Sequence, residues 1–218
     1  MDSVRANLQK QQPMLFLKMF KKLLKKKINV IGIFFDLSKV YDVLDHKILP
    51  FKLDAYGIRG IMNQWFKLYL CNWKQYVEIN YMENTIRILE KFTSTLKETK
   101  GGVSQGSILG PVLFLLNVND LPIDIQGGRT TLFADDDANI QIEATNANIL
   151  NEKIKGVIEQ LSNWFHLNKL IINSDKTITI SFHSWQNKNI LKPKIVFQDM
   201  DIKYKNDKKF LGYILLKM

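Results

Sequence analysis

Hydrophobic positions change period several times along the chain, and each change marks an element. In MLFLKMFKKLLKKK (14–27), Phe16, Met19, Phe20, Leu23 and Leu24 recur at helical spacing, with lysines on the other face. This predicts an amphipathic basic helix. INVIGIFFDLS is a continuous β-branched and aromatic run ending in Asp36, the pattern of a strand buried on both faces. Helical spacing returns over 43–55 and 61–72, on either side of the turn-like YGIRG. KQYVEIN (74–80) alternates like a strand, and IRILEKFTSTLKETK supplies one or two more. GGVSQGS then breaks the pattern. ILGPVLFLLNVNDLP reads as a buried helix starting near Ser107 or Ile108, with Pro111 in its first turn, where a missing N–H costs little. Two strand-like runs over 129–143 flank Asp135, Asp136 and Asp137, a hairpin pattern. Residues 146–166 predict a long amphipathic helix. LIINSDKTITISF predicts two strands around Ser174-Asp175, and the last 25 residues read as short strands and turns. The sum is an α+β fold, with helices packed against a mostly antiparallel sheet.

Composition narrows the partners. The 218 residues suffice for one substantial core. Thirty-one basic against 21 acidic residues give a net charge of +10. Such a surface favours polyanions, either nucleic acid or anionic membrane. The basic helix over 14–27 fits a membrane surface, a localisation signal or packing on the core, and the last is favoured. Cys71 is the single cysteine, so neither an internal disulfide nor a thiolate zinc site is expected. MDSVRANLQKQQ has no apolar run and no stretch reaches the ~20 residues of a bilayer span. The chain is therefore expected to be nuclear or cytoplasmic, not secreted and without a membrane partner.

Two carboxylate sites stand out: Asp36 at the end of a buried strand, and Asp135-Asp136 at a hairpin. A turn breaks the alternation of a strand, so neighbouring acids there can converge. Clustered carboxylates repel unless a cation lies between them. Hard oxygen ligands suit Mg²⁺ (or Mn²⁺), and two such ions can clamp the attacking and leaving oxygens of a phosphoryl transfer. The plainer reading is a solvated turn, with Asp36 capping the segment after it. The apolar flanks IGIFF and TTLF favour the first reading. Asp42, Asp45 and His46 form a second local cluster; helical spacing would put Asp42 and His46 on one face, as a metal site needs, but helix-capping and framework roles are expected.

The ordered motifs resemble the reverse transcriptases of non-LTR retrotransposons, especially the jockey-like group, over roughly residues 28–213. FFDLSKVYDVLDHKIL is similar to FxDLSKAFDxVDHxxLL, GGVSQGSILGPVLFLLNVNDLP to GVPQGSxLGPLLFxLYINDLP, and LFADDDANI stands where that family has FADDT. WFHLNKLIINSDKT resembles WxxxNKLxLNxxKT, and FLGY resembles FLGV. The resemblance implies a right-hand polymerase palm, with incomplete fingers and thumb. It implies RNA-directed DNA polymerisation: transfer of nucleotides from dNTPs to a DNA primer 3′-hydroxyl on an RNA template. Asp36 and Asp135 would be metal ligands, with the Leu37 carbonyl helping, and Asp136 the third catalytic carboxylate. Tyr41 would be the steric gate against a 2′-hydroxyl. Gln105 and Gly106 would contact the nascent pair and nucleotide, and Lys176 would protonate the pyrophosphate. Phe210, Leu211 and Gly212 would steady the primer.

The pattern departs in places. Ser104 replaces a proline, and Asp137 replaces a threonine. About 27 residues precede the first catalytic strand. The implied organisation is a fingers-remnant helix (1–27), a palm core (28–182) and C-terminal strands with the primer-grip-like segment (183–218). A catalytically inactive nucleic-acid-binding remnant, and an interaction module built on 14–27, are the alternatives. Metal-dependent extension separates them from the enzyme.

Overall fold

The computed structural model describes residues 28–37, 41–82, 89–104, 106–133, 137–173, 175–182, 192–210 and 213–216. The predicted helix over 14–27 lies outside them. Helices are α1 (Ile48–Ala55), α2 (Gly60–Leu70), α3 (Leu109–Val118), α4 (Leu121–Asp124) and α5 (Ala147–Asn168). The longer strands are β1 (Asn29–Asp36), β3 (Glu78–Met82), β4 (Leu89–Thr93), β6 (Arg129–Phe133), β7 (Asp137–Ala144), β8 (Ile178–Phe182), β12 (Asp207–Phe210) and β13 (Tyr213–Leu216). Two-residue strands are β2 (Lys74–Gln75), β5 (Lys97–Glu98), β9 (Val196–Phe197), β10 (Met200–Asp201) and β11 (Lys203–Tyr204). The chain forms two compact units, residues 1–38 with 118–218, and residues 39–117.

The first unit is built on a five-stranded sheet of order β11-β8-β1-β7-β6. All pairings are antiparallel except β8 with β11. With both neighbours in place, β1 is buried at all eight positions, Asn29 and Asp36 included, and the apolar run over 30–35 predicts the six between them. Phe35, Phe165 of α5 and Phe197 of β9 form a tilted and edge-to-face cluster with centroids 5.8–6.3 Å apart. α5 contributes Leu150, Ile154, Val157, Leu161, Trp164 and Phe165 as one buried stripe at three- and four-residue spacing. Asn146 caps its start, its side chain accepting from the Ile149 N–H at 2.9 Å. Lys169, left-handed at φ 55°, ends it. Near the sheet edge, burial pushes the Tyr204 phenol up, and its hydroxyl donates to the Pro193 carbonyl at 2.8 Å.

The second unit holds α1, α2, most of α3 and two strand pairs, β2 with β5 and β3 with β4. The strand expected over 74–80 is thus split, its halves pairing with different partners, while Val77 and Ser94 exchange hydrogen bonds between them. The helix expected over 43–55 begins only at Ile48. The backbone ahead of it is committed elsewhere. The Gly102 N–H donates to Leu44 O and the Val103 N–H to Tyr41 O, both at 2.7 Å, and Asp45 bridges Gly101. The Asp45 carboxylate then accepts from the Lys47 and Ile48 N–H groups at 2.8 and 3.0 Å, supplying the capping role expected of it.

α3 starts at Leu109, with the Ser107 hydroxyl accepting from the Gly110 N–H at 3.0 Å. Burial of this helix is one-sided rather than complete: Leu113, Phe114 and Val118 are buried, whereas Val112 and Leu115 are exposed. A run apolar all round carries no sign of which side will be covered.

Gly102 is the most constrained position of this unit. Its φ is +87°, and an added Cβ would lie 3.0 Å from the carbonyl oxygens of both Tyr41 and Asp42. Backbone oxygens cannot swing aside as side chains can. Gly102→Ala is expected to cost about 2 kcal/mol or more, read as a lower denaturation midpoint in urea.

Candidate active site

β1 delivers Asp36 to the end of the central strand with its residue only 8% exposed. The chain beyond it is held by the segment before β8. Leu37 makes an isolated antiparallel bridge with Ile172, and the Asn173 N–H donates to the Asp36 carbonyl at 2.8 Å. The predicted strand before Ser174-Asp175 is reduced to this bridge, because the chain there turns to grip the end of β1. Asn173 organises that turn. Its side-chain oxygen lies 3.2 Å from the Asp175 N and 3.4 Å from the Lys176 N, and its carbonyl accepts from the Thr177 hydroxyl at 2.8 Å. The same hydroxyl lies 3.5 Å from the Asp36 N.

This turn presents Lys176. Its Nζ is 3.3 Å from Asp36 Oδ2, the lysine side chain being 64% exposed and that of Asp36 only 11%. An ionised carboxylate so far out of water needs a cation beside it. Sequence reasoning identified Asp36 and Lys176 separately and did not foresee their pairing. It missed Asn173 and Thr177 as the residues that set their geometry, although an Asn two residues before Asp175 is an Asx-turn signal.

The other strand at this end is β7. Its register pairs Asp36 with Asp137, and Asp137 also pairs with Phe133 across the β6–β7 hairpin. Asp136 is the residue immediately before Asp137 in the chain. Asp135 and Asp136 lie outside the described residues, as do Gln105, Leu211 and Gly212. Phe210 is the last residue of β12 and pairs with Tyr213.

The remaining site residues of the sequence reading belong to the second unit. Tyr41, half-buried, sets its ring edge-to-face against Phe114 at 6.2 Å. Gly106 has φ +89° and open space where a Cβ would stand, so its conformation, not crowding, calls for glycine. Asp42 and His46 do not share a helix face, because the helix starts after them. They line a recess of about 530 Å³ with Trp73 and Lys74, and His46 Nε2 lies 2.6 Å from the Gly102 carbonyl. That contact makes Nε2 the protonated nitrogen and gives the histidine the framework role expected.

Among the described residues no three His, Cys, Asp or Glu side chains converge as a metal cluster. Asp36, at the end of β1, supplies hard carboxylate oxygens, and its Oδ2 is paired with the Lys176 ammonium. A carboxylate is the ligand type that Mg²⁺ or Mn²⁺ takes.

The sequence profile described as reverse transcriptase (RNA-dependent DNA polymerase) matches residues 2–215. The chain belongs to the reverse transcriptase family. Solved reverse transcriptases share its fold. Apo telomerase from Candida tropicalis, truncated from its C-terminal domain, superposes with a TM-score of 0.54 at 17% identity, covering 95% of this chain and 40% of that one. Apo telomerase from the same organism gives a TM-score of 0.52 at 15% identity, covering 95% and 35%. This reverse transcriptase chain thus spans about two fifths of the length of the telomerase chains it resembles. No curated protein sequence matches it. The α+β polymerase fold expected from the motifs is the fold observed, and no helix among the described residues is long and apolar enough to cross a membrane.

Proposed function

We propose that this chain carries the catalytic centre of an RNA-directed DNA polymerase of a non-LTR retrotransposon, with motifs like those of the jockey-like group. The observation that carries the reading is the register of the central strands: Asp36 ends β1 directly across from Asp137, the residue that follows Asp135-Asp136. The segment that ends at Asp36 and the segment that begins at Asp137, about a hundred residues apart in sequence, are thereby adjacent strands. The basic charge of +10 suits a template–primer partner.

Asp36, Asp135 and Asp136 would hold Mg²⁺ or Mn²⁺, and the Leu37 carbonyl would assist. Bound there, the ions supply activation of the primer 3′-hydroxyl and charge neutralisation on the triphosphate. Asp36 is fixed in place by its strand and by the 173–177 turn before any ligand arrives, so little reorganisation is needed at the reacting centre. Lys176 delivers a proton to the departing pyrophosphate. Gln105 and Gly106 line the nucleotide, and Phe210, Leu211 and Gly212 steady the primer.

Tyr41 supports sugar selection by its rigidity: packed on Phe114, its ring cannot yield freely to a 2′-hydroxyl. Tyr41→Ala is expected to lower the preference for dNTP over rNTP at least about tenfold. The check is single-nucleotide extension of a DNA primer on an RNA template with each substrate. Unchanged discrimination in a variant that still extends would remove Tyr41 from the gate.

A further inference from the structure

With Asp36 read as a cation ligand, as proposed above, the ion pair at its carboxylate takes on a second meaning. We propose that Lys176 is the resident counter-ion of Asp36 in the metal-free protein, and that divalent-cation binding displaces its ammonium and so frees it to act on the leaving group. The two events, cation capture and readiness of the proton donor, are then one switch.

Three observations carry this. The Asp36 side chain is 11% exposed, and the ammonium at 3.3 Å supplies the positive charge such a carboxylate needs. Next, the lysine side chain is 64% exposed, so its head can move into solvent without loss of packing. Finally, the turn bearing Lys176 is anchored by bonds that do not involve the ammonium. Asn173 N–H donates to the Asp36 carbonyl, and the Thr177 hydroxyl donates to the Asn173 carbonyl, both at 2.8 Å. The stem can therefore pivot while its base stays beside the site. An ammonium and a divalent ion cannot both sit on the same carboxylate without mutual repulsion, and the doubly charged ion holds the oxygen more strongly.

The test is Mn²⁺ binding to the full chain without nucleic acid or nucleotide, followed by electron paramagnetic resonance of the free ion. Lys176→Met and Lys176→Gln are expected to bind about five- to tenfold more tightly than the natural protein, and Lys176→Arg within about twofold of it. Asp36→Asn is expected to lose the binding. Circular dichroism confirms that each variant is folded. Equal or weaker affinity in both neutral variants, with Asp36→Asn still defective, would overturn the counter-ion role and leave Asp36 a ligand. Undiminished binding by Asp36→Asn would overturn the cation site itself, and the switch with it.

Discussion

Asp36→Asn is expected to lower primer extension by at least about a thousandfold while leaving the protein folded. The substitution is nearly isosteric, and the backbone bonds that hold the end of β1 do not involve the carboxylate: the Asn173 N–H meets the Asp36 carbonyl at 2.8 Å, and Leu37 bridges Ile172. What disappears is the negative charge, and with it the ligand that the proposed mechanism assigns to the divalent cation. A neutral amide also leaves Lys176 without its partner, so the variant differs in electrostatics at the reacting centre and hardly at all in packing. Rates from single-turnover extension, read beside a circular dichroism spectrum, separate loss of chemistry from loss of fold.

The second large effect is structural. Phe35 is fully buried and meets the rings of Phe165 and Phe197 at 6.3 and 6.2 Å. It joins the sheet to α5 and to the C-terminal strands at one point. Phe35→Ala is expected to cost about 3–5 kcal/mol, the loss of a buried aromatic plus the cavity it leaves. For a domain of this size, that corresponds to a fall in Tm of about 10 °C. Phe35 also precedes Asp36, so part of any loss of activity in this variant would come from a loosened strand end. Extension assayed well below the new Tm distinguishes the two.

Much of this was legible in the sequence, for identifiable reasons. The run VIGIFF (30–35) has no polar position to face water, so burial on both faces follows from composition alone. The period of residues 147–168 fixes the buried stripe of α5, and Asn146 marks its start. What was not legible depends on contacts distant in sequence. The start of α1 is decided by the Gly101–Val103 loop, which takes up the backbone of residues 41–45. Helical spacing within 43–55 carries no trace of that competitor. Asn139 and Gln141 alternate with Ile140 and Ile142 as a solvent face would, yet both are buried, because a strand pattern does not reveal what covers its polar side. The same holds at the candidate site. Asp36 and Lys176 could each be singled out from motif and position, but their ion pair follows from the turn at Asn173, whose partners lie about 140 residues away in the chain.

The most direct measurement is extension of a DNA primer on an RNA template by the purified chain, with dNTPs and Mg²⁺ or Mn²⁺, beside Asp36→Asn. Metal-dependent extension that vanishes in the variant is the predicted result. Retained binding to template–primer with no extension under either ion would contradict the polymerase reading and leave a nucleic-acid-binding protein of the same fold.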